Sequence, residues 1–145
     1  MIKTILKNSF KLVVPVFLLS FVIAGCSSQD EEIGIGPVKE VSLAAIDKNL
    51  VEKGKTTFET KCASCHKFDT KLVGPPLKDV TKRRKPEWIM NMILNPQQMT
   101  QENPAAKELF TTYLVQMTFQ DVSHDDARAL LEYFRALDDG SQTLK

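Results

Sequence analysis

Apolar residues in this chain fall into one continuous run at the front and then into stripes with helical spacing. The run, Leu12 to Ala24, follows a stretch that carries Lys3, Lys7 and Lys11 and no acid. A basic start followed by about 13 apolar residues is the shape of a secretory leader, and it falls short of the roughly 20 that a membrane-spanning helix needs. Pro15 inside the run points the same way. Further on the pattern changes. Leu50, Val51, Gly54, Phe58 and Cys62 form one stripe and predict a helix from about Lys48 to Cys62, with Asp47 as its N-cap. Gly54 on that apolar face predicts that another helix crosses closely there. Pro86 opens a second helix, with Trp88, Ile89, Met92 and Ile93 on one side, which stops before Pro96. Asn103-Pro104 starts a third, with Leu109, Phe110, Tyr113 and Leu114 expected on its inner side. Ser123 starts the last, with Asp126 as the acid of a capping box. Its stripe is Ala127, Leu130, Leu131, Phe134 and Leu137, and Asp138-Asp139-Gly140 ends it. No segment alternates with period two and no internal repeat is present, so the expected fold is all-α with about four short helices.

These patterns divide the chain into a leader over 1–25, a tether over 26–46, one domain over 47–138 and a frayed tail over 139–145. The tether assignment rests on composition. Ser27, Ser28, Gln29, Asp30, Glu31 and Glu32 are followed by Gly34, Gly36 and Pro37, a mixture expected to stay flexible.

The chemistry is concentrated in Cys62-Ala63-Ser64-Cys65-His66. This C-x-x-C-H run is the attachment signature of a c-type heme: two thiols bond the vinyl groups, and the next residue offers an imidazole to the iron. A zinc site would ordinarily take four Cys or His ligands. The chain holds 3 Cys and 2 His, with Cys26 and His124 in unrelated segments. A thiol redox pair would expect a preceding strand rich in β-branched residues, which is absent. His124 sits in a polar first turn with Asp125 and Asp126 and is expected to face solvent. About 100 residues in four short helices make a thin core, which a large apolar cofactor would complete.

The leader ends in Ile23-Ala24-Gly25-Cys26, which resembles a bacterial lipobox in which the cysteine becomes the acylated first residue. Acyl chains contribute about 0.8 kcal/mol per buried CH₂, so more than one chain anchors stably. With Cys26 on lipid and Cys62 and Cys65 on heme, no thiol remains for a disulfide, and the expected location is extracytoplasmic: the periplasmic face of a bacterial membrane, or the cell surface. The acidic run behind Cys26 resembles a surface-export signal of some Bacteroidetes lipoproteins. The chain carries 19 basic and 18 acidic side chains. Loss of three lysines with the leader leaves a net charge of about −2, which excludes nucleic-acid binding by bulk charge and gives no strong long-range steering.

Residues from about Leu50 to Leu137 resemble class I cytochrome c, the small single-heme electron carriers. Gly54-x-x-x-Phe58-x-x-x-Cys62-x-x-Cys65-His66 is similar to that family's first helix and heme motif, Val73-Gly74-Pro75-Pro76-Leu77 to the loop on the histidine side, and Leu130-x-x-Tyr133-Phe134 to the terminal helix, which the resemblance implies crosses the first helix at Gly54. The resemblance implies one covalent heme c, His66 as an axial ligand oriented by the Pro75 carbonyl, and a methionine opposite. Met117 holds the family's place for that ligand, although Thr118 follows it where the family usually has proline; Met99 is the alternative. It also implies that Arg83 or Arg84, with Trp88, reaches a heme propionate. Lys82-Arg83-Arg84-Lys85 is otherwise a solvated loop or a docking patch for an acidic partner. The implied function is electron carriage by a monomer, without catalysis, from a quinol-oxidising complex to a terminal oxidase or reductase. A fixed subunit of a dehydrogenase or reductase complex is the second reading, and a heme-based gas or redox sensor the third.

Overall fold

The computed structural model describes residues 28–143, with side chains from Glu31 onward. The expected leader, Cys26 and the last two residues lie outside the described residues. Seven helices occur among the described residues, with no strand: α1 Ser28–Ile33, α2 Lys48–Lys61, α3 Val80–Arg83, α4 Pro86–Leu94, α5 Pro96–Glu102, α6 Pro104–Tyr113 and α7 His124–Asp138. None is long and apolar enough to cross a membrane.

The four expected helices are α2, α4, α6 and α7. Asp47 caps α2 by accepting from the amides of Asn49 and Leu50, and Ser123 and Asp126 close the capping box of α7. Helices α2 and α7 make the most extensive contact in the molecule. Gly54 sets their closeness: a Cβ there would lie 2.0 Å from the Ala129 carbonyl oxygen and 2.9 Å from Tyr133 Cβ. Beside the crossing, Phe58, Phe68, Tyr133 and Phe134 pack ring against ring, with centroids 5.0 to 6.3 Å apart. Glu132 is wholly buried on α7. Burial opposes its charge, but Arg128, the Asp47 amide and Arg135 hold its carboxyl below the usual range. Arg135 donates to both Glu132 oxygens at 2.9 Å and the Asp47 N–H donates at 3.0 Å, so one carboxylate ties the start of α2 to α7.

The three additional helices are short. Pro96, expected only as a stop, is also the first-turn proline of α5. Met99, the alternative candidate for the iron ligand, is fully buried on that helix, a placement worth about 1.5–3 kcal/mol. Asp79 enters α3 with a left-handed backbone (φ 57°). Asp138 from the end of α7 accepts from the amides of Asp79 at 2.7 Å and Thr81 at 2.9 Å, so a distant carboxylate caps this four-residue helix. Leu114, expected inside, is 82 % exposed, because it ends α6 in the left-handed region (φ 54°) and turns outward. Phe110, 42 % exposed, keeps the expected inner side with Leu109 and Tyr113, because all three line the same cavity.

A flexible tether reaching residue 46 is not what the structure contains. Ile33 and Val38 are buried. Asn91, itself fully buried on α4, accepts from the Val38 N–H at 2.9 Å and donates to the carbonyls of Ile33 and Val38 at 2.9 and 2.8 Å. Asn95 donates to Ile35, Asn103 to Glu31, and Arg135 to Ala44. Gly36 allows the approach, since a Cβ there would lie 2.4 Å from Asn91 Oδ1. The segment therefore satisfies its backbone against side chains far along the chain and forms a strap over α4, α5 and α7. The tail is also partly folded back: the Gln142 N–H donates to the Ala136 carbonyl at 2.9 Å.

Candidate functional site

Helix α2 delivers the C-x-x-C-H run to one end of the bundle. Cys62 is its C-cap and donates its N–H to the Phe58 carbonyl at 2.9 Å. The chain then coils tightly, with the amides of Cys65 and His66 both donating to the Cys62 carbonyl at 3.0 Å. Cys62, Cys65 and His66 thereby line the same cavity. The cavity includes about 1480 Å³ of space outside protein atoms, its open mouth counted. Its walls are largely apolar: Trp88, Ile89, Met92 and Ile93 from α4, Leu109 and Tyr113 from α6, Leu130 and Phe134 from α7.

Backbone pairing holds the loop after His66 against it. The amides of Val73 and Gly74 donate to the Cys65 carbonyl at 3.2 and 2.9 Å, and Leu77 and Lys78 donate to Lys67 and Phe68. This sets the Pro75 carbonyl oxygen 3.1 Å from His66 Nδ1. Burial lowers the His66 pKa more than the Pro75 contact raises it, so the ring is neutral, with Nδ1–H donating to Pro75 and a lone pair on Nε2. Gly74 makes room for the ring: a Cβ there would lie 2.5 Å from His66 Cε1.

Thiol chemistry separates the alternatives. Burial pushes Cys62 up to about 11 against the lowering effect of Lys61. That is the opposite of an activated redox or nucleophilic cysteine, which needs its thiolate. Among the described residues no group of three or more His, Cys, Asp or Glu is placed to hold a metal ion. An apolar cleft with two thiols and a neutral imidazole on one wall fits a covalently attached heme.

The remaining expected residues divide clearly. Met117, in the loop between α6 and α7, lines the cavity, as does Met92 on α4. Met99 is buried elsewhere, with its sulfur accepting from the Ile35 N–H at 3.0 Å. His124 is exposed beside Asp125. Arg83, Arg84 and Trp88 all line the cavity. Trp88 nevertheless donates its Nε1–H to Asn103 Oδ1 at 3.1 Å, so it contributes ring surface to the wall and its N–H is used there. Arg83 donates to the carbonyls of Pro76 and Lys78, while the Arg84 guanidinium lies 4.9 Å from the Trp88 ring centroid. Lys82 pairs with Asp79 at 2.7 Å and Lys85 with Glu32, so much of the basic cluster is neutralised within the molecule.

Sequence reasoning missed Gly74 and Asn103 as site-shaping residues. Asn103 was legible as a cap from Asn103-Pro104; its second task, holding Trp88, was not. The exposed apolar residues were also missed: Val73 and Val115 line the cavity, and Leu72, Leu114 and Phe119, each next in sequence to a lining residue, are exposed.

Comparison with known proteins agrees with this geometry. The family model described as "Cytochrome c" matches residues 51–138, more than half of the chain. Cytochrome c-551 of Stutzerimonas stutzeri is 45 % identical over 40 residues, a stretch covering 27 % of this chain and 38 % of that protein's length. Cytochrome c from Rhodothermus marinus is 44 % identical, with a TM-score of 0.74 over 77 % of this chain and 97 % of its own. An engineered form of that cytochrome, bound to a carbene intermediate, superposes with a TM-score of 0.70 at the same identity and coverage. The chain belongs to the cytochrome c family, as a class I c-type cytochrome with one covalent heme c.

Proposed function

We propose that this chain carries single electrons between redox proteins outside the cytoplasm while anchored to a bacterial membrane through acylated Cys26. The observation that carries the reading is the gathering of Cys62, Cys65, His66 and Met117 on the wall of one apolar cavity. Cys62 and Cys65 would hold the heme through thioether bonds, and His66 and Met117 are the residues that would ligate its iron. Bound heme c supplies one-electron exchange between ferric and ferrous iron. The chain's own residues set the conditions for it. Pro75 keeps the His66 proton on Nδ1, leaving Nε2 as donor. The Met117 thioether would, on iron, favour the ferrous state and raise the potential. The apolar walls exclude water, and Arg84 keeps positive charge at the cavity, suited to a propionate.

Methionine assignment decides between a closed and an open iron site. The oxidised protein should show a near-infrared methionine-to-iron charge-transfer band that persists in Met92→Ala and Met99→Ala and disappears in Met117→Ala. A band that survives Met117→Ala refutes this ligand set. Carbon monoxide binding to the reduced protein at neutral pH would favour the sensor reading.

The proposed route runs from a quinol-oxidising complex to a terminal oxidase or reductase. Exposed apolar side chains, with Leu114 82 % exposed and Phe119 50 %, favour fixed membership of a larger complex as the second reading. Gentle detergent extraction separates the two: a carrier elutes as a single chain, and a subunit elutes with its complex.

A further inference from the structure

We propose that residues 28–47 act as a rigid strap that keeps the domain against the membrane in one orientation, with α4 between the bilayer and the cofactor cavity. The inference rests on the acylation of Cys26 in the proposed function and concerns the segment after that residue. Helix α1 begins at Ser28, two residues beyond Cys26. Two extended residues span at most about 7 Å, whereas a free chain from Cys26 to Asp47 would span about 70 Å. The acylated end of the chain is therefore a few ångströms from folded structure.

That structure does not peel away easily. The strap is fastened at both ends and in the middle: Asn103 donates to Glu31 at 3.0 Å, Asn91 makes three hydrogen bonds to Ile33 and Val38, and the Asp47 N–H donates to buried Glu132. The Val41 N–H donates to Glu87 on α4 at 2.8 Å. Ile33 and Val38 are buried beneath it.

Orientation follows from the two sides of α4. Glu87 and Asn91 hold the strap, whereas Trp88, Ile89, Met92 and Ile93 line the cavity. At 3.6 residues per turn these two sets lie roughly 150° apart around the helix. The middle of the strap thus lies on the side of α4 away from most of the cavity wall, and its lipid-proximal end is fastened at Glu31 to Asn103. A domain held so meets partners by diffusing in the plane of the membrane. The partner class that fits is a redox protein whose electron-exchange site stands close above the same bilayer, reached without a long swing.

The test uses leaderless holoprotein beginning at Cys26. Its heme thioethers leave Cys26 as the free thiol, which is coupled to maleimide lipid in phosphatidylcholine vesicles carrying a headgroup fluorophore. Heme quenching of the fluorophore reports the height of the domain. Native protein is expected to quench at least twofold more strongly than a form with a 20-residue Gly/Ser segment inserted between Ser27 and Ser28. Asn91→Ala, which loosens the strap, is expected to fall between them. Equal quenching by the native and inserted forms overturns the strap. Mass analysis of Cys26 in the native membrane fraction separately tests the acylation: an unmodified thiol overturns that reading and the membrane placement with it.

Discussion

Replacing Gly54 with alanine sets two physical effects against each other, and the structure decides the sign. In an isolated helix the change is favourable by about 1 kcal/mol, because alanine loses less backbone entropy. In this molecule the added Cβ would sit 2.0 Å from the Ala129 carbonyl oxygen, 2.5 Å from its carbonyl carbon and 2.9 Å from Tyr133 Cβ. Relief needs α2 and α7 to separate by about 1 Å, since backbone cannot change rotamer and protein interiors are close-packed. Overpacking costs about 1–3 kcal/mol, and a backbone obstacle between the two most extensively packed helices belongs at the upper end. The net expectation is a loss of about 2 kcal/mol, or a fall in Tm of roughly 10 °C for a domain of this size. Thermal unfolding of the holoprotein, followed by helical circular dichroism and by heme absorbance, measures it. Trimming Ala129 to glycine should give no rescue, because the obstacle is its carbonyl. A Gly54→Ala protein as stable as the parent, or more stable, would refute the close crossing.

Three further changes probe other parts of the same architecture. Glu132→Ala removes the shared partner of Arg128, Arg135 and the Asp47 amide; with both arginines only about one-fifth exposed, the expected loss is about 3 kcal/mol in urea unfolding, and a loss below about 1 kcal/mol would show that the arginines find water instead. Asp126 is held down to about 2 by Lys53 and by the Ser123 side chain and amide; its contribution is therefore complete above its ordinary pKa of 3.8 and is lost as pH falls through about 2, so the stability gap between the parent and Asp126→Asn should close over that window, and a constant gap would sink the linkage. Gly74→Ala should press on the His66 ring and weaken its bond to Pro75, seen as a shifted midpoint potential and an altered ferric spectrum; spectra and potential identical to the parent would mean that the ring has room to spare.

Much of the fold was readable because its signals are local. Asp47, Pro86, Asn103-Pro104 and the Ser123–Asp126 pair each mark a helix start through groups within three residues, and each marks a real one. Asn95-Pro96 carries the same signal and opens α5, yet it reads first as the end of α4. The strap was misread for a different reason. Gly34, Gly36 and Pro37 have the composition of a linker, and the groups that hold the neighbouring Ile35 and Val38, namely Asn91, Asn95 and Met99, lie more than 50 positions away. Around the cavity, Cys62, Cys65 and His66 declare themselves by spacing alone. The two methionines did not separate so easily: both read as loop residues in the sequence, but the Met99 sulfur faces the Ile35 amide inside the core and the Met117 side chain lines the cavity.

By itself, the sequence determined the cofactor chemistry, the helical class and the caps, since these depend on residues a few positions apart and on short-range sterics and hydrogen bonding. Gly54 also announced a helix crossing, and the family resemblance named the terminal helix as its partner, but not which atoms meet. Tertiary structure alone decided that the partner is the Ala129 carbonyl, that Trp88 spends its N–H on Asn103, that Met117 and not Met99 borders the cavity, and that the supposed tether is a fastened strap. Each of those depends on burial, and burial requires polar and apolar groups distant in sequence to satisfy one another.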